Sequence, residues 1–147
     1  MSIPMSPQWL EMRIQEEQDR RRREAKMLEL LPQALEELHH QLATCIERYK
    51  SAFGAESADV SNLVSKLRVT IRDEQGGKWQ PRAKVDISSV SMPPSFKVER
   101  GETEPLVIEL GLLPGDKLSY RLNDQYLTPE DLSRHILDRV FFPKLSE

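Results

Sequence analysis

With a single cysteine, Cys45, the chain has no intramolecular disulfide and no cysteine-based zinc cluster. Glycine is scarce, six in 147 residues, and none stands in a phosphate-binding pattern. Gly76-Gly77 precedes neither a helix signal nor a Lys-Ser/Thr pair, so a turn is its expected role. No run approaches the roughly eighteen apolar residues of a membrane span, and the N-terminus shows no basic segment leading into an apolar one. These absences lead to an expected cytoplasmic location.

No charge sign dominates. The formal net charge is −3; residues 1–56 carry eight Lys/Arg against ten Asp/Glu, and residues 57–147 thirteen against fourteen. A dedicated nucleic-acid binder carries a clearly basic domain, and neither part is one. Of the three histidines, His39 and His40 point about 100° apart on a helix and cannot chelate one ion together. His135, one turn after Asp131, fits a surface hydrogen bond. No catalytic constellation, metal site or cofactor is expected.

What the sequence does contain is a heptad stripe. Over residues 28–53 the apolar side chains recur at Leu28, Leu31, Leu35, Leu38, Leu42, Cys45 and Tyr49, alternating three and four apart along one side of an α-helix. Such a seam packs, and the expected partner is a second copy, with a dimer favoured and the helix orientation open. Ile46 and Phe53 widen the stripe, so its C-terminal turns are expected to touch both a partner helix and the sheet. Cys45 reads as a small apolar core residue.

Backwards from the seam, Leu10 and Ile14 continue the spacing, but Glu17, Arg21 and Glu24 take the next positions. Residues 15–26 therefore read as a solvated helical arm. It is held by acid-before-base pairs at i,i+4 (Glu16 with Arg20, Glu17 with Arg21, Asp19 with Arg23), each contributing roughly 0.2–0.5 kcal/mol. Ser6 and Pro7 fit the helix start. Pro32 costs about 3 kcal/mol inside a helix, yet the stripe crosses it without a slip. A long helix kinked at Pro32 is expected, ended by Gly54.

The period then changes to two. Residues 55–62 read as a connector with some helical character. Residues 66–72 alternate as a strand, Gln75-Gly76-Gly77 turns the chain, and residues 78–88 return, with Pro81 at an edge or bulge. Residues 88–95 read as a loop. Strands follow at residues 96–99, 105–112, the most apolar and expected at the centre, and 118–122, with Tyr126-Leu127 as a brief pair. Thr128-Pro129-Glu130-Asp131 marks a helix start, with Leu132, Ile136, Leu137 and Val140 as its apolar face.

The expected fold class is α+β: a long kinked N-terminal helix over residues 1–54 as an assembly element, and residues 55–147 as a sheet domain of four to five antiparallel strands with a short C-terminal helix. The function expected is a non-enzymatic interaction or scaffold protein that self-associates through its N-terminal helix. A second reading is a nucleic-acid-associated protein. It would use residues 20–23 and an outward sheet face carrying Lys66, Arg68, Arg72, Lys84, Lys97, Lys117 and Arg121, a candidate face for an anionic partner. The competing expectation is that those residues form cross-strand ion pairs, and no aromatic stacking platform lies among them. In size and acidity the chain is similar to small acidic α+β secretion chaperones, which suggests a third reading, a chaperone or adaptor for a partner protein.

Overall fold

The computed structural model describes residues 6–101 and 103–145. A 46-residue helix, α1 (Gln8–Phe53), is followed by β1 (Ala58–Leu63), β2 (Lys66–Gln75), β3 (Lys78–Ser91), β4 (Pro94–Glu99), β5 (Leu106–Leu113), β6 (Lys117–Leu122), β7 (Gln125–Leu127) and α2 (Pro129–Phe141). The fold class is thus α+β, with seven strands rather than four or five. They form one antiparallel meander in chain order.

The two extra strands are the sheet's edges. β1 occupies the stretch read as a connector, because Ala58, Asp59 and Val60 pair with Ile71, Thr70 and Val69. β7 pairs Leu127 with Tyr120. Edge strands need only one partner and can be short, so their period is faint in sequence. The stretch read as a loop is also shorter, for β3 runs to Ser91 and β4 begins at Pro94. Pro81 sits at a bulge: Ile71 faces Ala83 and Arg72 faces Pro81, which leaves Arg82 as the extra residue. The apolar β5 is interior but fifth in the order, with β4 at the middle.

α1 runs unbroken through Pro32 and is roughly 70 Å long. Its buried residues are Met27, Leu31, Ala34, Leu35, Leu38, Leu42 and Ile46. They lie on one side and pack against inward rows of the sheet, among them Val60–Val69–Val85 and Leu67–Ile87–Val98–Leu106. Helix and sheet share one core, in which Leu42, Ile46, Phe96 and Ile108 are fully enclosed. One sheet face is thereby covered and the other is open.

α2 begins as its sequence requires. The Asp131 N–H donates to Thr128 Oγ1 at 3.1 Å and the Thr128 N–H donates to the Asp131 carboxylate at 3.4 Å, a reciprocal cap. Leu132, Ile136, Leu137 and Val140 are buried, and α2 packs beside α1, β3 and β7. Tyr49 stacks on Phe141 at a centroid distance of 4.3 Å, with Phe53 and Phe142 around it. Phe53 thus meets the end of α2 rather than the sheet. The bulge residue Arg82 ties three elements together. Its guanidinium donates to the Asp73 carboxylate at 3.0 Å, to the Val140 carbonyl at 2.9 Å, and at 3.5 Å to the Tyr49 hydroxyl.

Candidate functional site

The heptad seam of α1 faces inward. Leu31, Leu35, Leu38 and Leu42 are buried against the chain's own sheet. Cys45 and Tyr49 are half-buried against the same core, Cys45 alongside Leu137 and Phe141 of α2. Only Leu28 stays largely open, at 41% exposure. A heptad stripe records that a helix face is apolar, not which surface covers it. Here the covering surface is intramolecular, and pairing of two copies along residues 31–49 would require the helix to leave its sheet.

The outer sheet face collects the predicted basic residues. The register places Lys66, Ser88 and Lys97 in one row, Arg68, Asp86 and Glu99 in the next, and Glu109 opposite Arg121. Arg68 donates two hydrogen bonds to Asp86, at 2.8 and 3.3 Å, and Lys66 reaches the same carboxylate at 3.8 Å. Arg72 pairs with Asp59, Lys97 with Glu99 and Arg121 with Glu109. The Arg68 guanidinium holds the Asp86 carboxyl below its ordinary range. Five of the seven cations are therefore committed to carboxylates, and β1 adds Asp59 to the face. Lys84 and Lys117 hold no ion pair among the described residues. A cross-strand ion-pair ladder of this kind has little charge to spare for a polyanion.

α1 behaves differently before Met27. None of residues 8–26 is buried, although Arg22, Arg23 and Lys26 flank a groove beside the β5–β6 turn at residues 112–116. Residues 8–21 form an arm of roughly 20 Å beyond the sheet. Near its tip Trp9 is 65% exposed, Met12 56% and Ile14 42%. The arm's ion pairs differ in part from the expected set. Glu17 binds both Arg20 at 2.7 Å and Arg21 at 3.1 Å, Arg20 also binds Glu24, and Glu16 turns to Arg13. Arg20 and Arg21 together hold the Glu17 carboxyl down at about 2.

A cleft of about 490 Å³ lies between α2 and the ends of β4, β5 and β6, with Arg100 and Arg139 on its walls. The two arginines are far apart in sequence and belong to a loop and a helix, so no spacing rule connects them. No group of three or more His, Cys, Asp or Glu able to hold a metal ion occurs among the described residues, and no helix there is long and apolar enough to cross a membrane. No protein-family model, no curated protein and no solved structure matches the chain.

Proposed function

We propose that the chain is a non-enzymatic interaction protein that self-associates through the N-terminal arm of α1, two arms pairing antiparallel. The observation that carries this reading is the contrast along one helix: an apolar face sealed by the sheet from Met27 onward, and an unburied arm ending in exposed Trp9, Met12 and Ile14. An arm of this length gains little from helix propensity alone and is better accounted for by a partner along it.

Its charge distribution favours a second copy as that partner. Residues 8–19 hold four acids and one base, whereas residues 20–26 hold five bases and one acid. Antiparallel overlap lays the acidic half of each arm on the basic half of the other. The face formed by Leu10, Ile14, Glu17, Arg21, Glu24 and Leu28 supplies a register symmetric about Asp19. Leu10 then meets Leu28 of the second copy, Ile14 meets the stem of Glu24, and Glu17 meets Arg21. This gives apolar contacts at both ends and two ion pairs between them, and it uses the one seam residue that the core leaves open.

Charge exchange tests the register. Light scattering of the wild type is expected to give twice the 17.0 kDa chain mass, falling toward the monomer as salt is raised. Glu17→Arg and Arg21→Glu are each expected to be monomeric, and an equimolar mixture to restore the dimer, because the mixed pair alone places opposite charges across both contacts. A wild type that stays monomeric at high-micromolar concentration, or a mixture that does not recover mass, overturns the proposal.

A further inference from the structure

The cleft beside α2 carries a charge arrangement that the fold does not use. Its walls hold Arg100, just past β4, and Arg134 and Arg139 on α2, with Asp131 and Asp138 as the acids. Asp138 is paired with Arg134 at 4.0 Å, and Asp131, which accepts from the Thr128 N–H in the helix cap, keeps its charge about two helical turns away from Arg139. Arg100 and Arg139 have no ion pair among the described residues, and they face each other's field: burial, then the charge of Arg139, push the Arg100 guanidinium below its ordinary value. The Nε of Arg100 is buried with no hydrogen-bond partner among the described residues. A buried guanidinium nitrogen without an acceptor, set against a second unpaired guanidinium, costs stability. Such a cost persists where it serves a ligand.

We propose that this cleft binds a phosphate monoester of a small organic molecule, with the phosphate between Arg100 and Arg139 and the carbon skeleton on Leu106 and Leu122. Two uncommitted positive charges match the near-dianion that a phosphate monoester carries at neutral pH, where a carboxylate supplies one. Guanidinium groups also match phosphate oxygens in paired hydrogen-bond geometry. The volume lies within the range of small-ligand sites and exceeds what a bare anion fills. The leucines at the start of β5 and the end of β6 supply an apolar wall.

Phenyl phosphate serves as the probe, followed through the arginine Nε–Hε and backbone amide NMR resonances at constant ionic strength. Benzoate and inorganic phosphate are the comparison arms. Phenyl phosphate is expected to give saturable shifts at Arg100 and along residues 134–139, with benzoate and inorganic phosphate each binding more weakly. Arg139→Gln, at an exposed position, is expected to weaken phenyl phosphate by about 10- to 100-fold. Arg100→Met is expected to abolish the response while leaving the thermal midpoint of the ligand-free protein unchanged or higher, because it removes the orphaned nitrogen and keeps an apolar stem. Benzoate binding as tightly as phenyl phosphate overturns the proposal. So do shifts that persist in Arg139→Gln, or an Arg100→Met protein that is less stable and still responds.

Discussion

If the leucine stripe of α1 is an internal docking surface, truncating it at two points should have very different consequences. Leu42 is fully enclosed between α1 and the sheet, whereas Leu28, one of the same heptad series, is 41% exposed. Leu42→Ala removes about three carbon groups from water-free surroundings, roughly 2.4 kcal/mol at about 0.8 kcal/mol each. The cavity adds to this, and measured Leu→Ala losses reach about 5 kcal/mol where the site relaxes little. The walls here are a helix backbone and hydrogen-bonded strands, so a loss of about 3.5–5 kcal/mol is expected. At concentrations low enough to keep the chain monomeric, Leu28→Ala should cost about 1 kcal/mol or less, in line with ordinary surface substitutions. Urea unfolding followed by circular dichroism measures both, with an unchanged m-value confirming that the two states being compared are the same. The Leu42→Ala loss should be equal at low and high protein concentration, since the contacts are within one chain. Were the stripe an intermolecular coiled coil, Leu28 and Leu42 would carry similar penalties and both would scale with concentration. Comparable losses at the two positions, or a Leu42→Ala effect that grows on dilution, would refute the reasoning.

Pro32 is exposed inside α1 and leaves the helix one N–H short, so Pro32→Ala is expected to raise stability by about 1–3 kcal/mol in the same assay; a loss would show that the proline shapes α1 to fit its sheet. Gly54 adopts φ 122° and ψ 149°, a region open to glycine, and an added Cβ would sit 3.1 Å from two carbons of the Trp79 ring. Gly54→Ala should therefore cost about 1–3 kcal/mol and shift Trp79 fluorescence, and a neutral result would mean that the α1–β1 connection is not constrained there. Asp86 titrates below its ordinary value because Arg68 stabilises the carboxylate. A depressed native pKa gives stability that is present above about pH 4 and is lost as pH falls through the native value. Urea midpoints of wild type and Asp86→Asn should thus differ at pH 7, with the gap narrowing progressively as pH falls below about 4, and a gap of unchanged size down to the lowest pH at which the protein folds would count against the ion pair.

Much of the local structure was legible in the sequence because local chemistry sets it. Thr128, Pro129 and Asp131 define the start of α2 whatever lies around them, since the cap is satisfied within four residues. The alternation of Leu67, Val69 and Ile71 with charged neighbours specifies a half-buried strand, and Pro81 marks the bulge beside Arg82 because a proline cannot donate to the ladder. The helical period crosses Pro32, and α1 crosses it too. The edge strands were less visible: β1 has few apolar residues and becomes a strand only through the hydrogen bonds offered by β2.

The amphipathic character of α1 and the solvated, ion-paired nature of its arm were thus determined by the sequence alone, because side-chain period is a property of one helix; which acid meets which arginine was not, since i,i+3 and i,i+4 partners compete for each carboxylate. Which surface covers the stripe was decided only by the tertiary structure. An apolar face gains the same free energy against a second copy or against its own sheet, and the seven-stranded meander supplies the nearer surface. The same reason explains why the candidate sites were hidden. Arg100 and Arg139 become neighbours only when α2 folds back past β4, and Leu28 is set apart from Met27 and Leu31 only by which side of α1 the sheet covers.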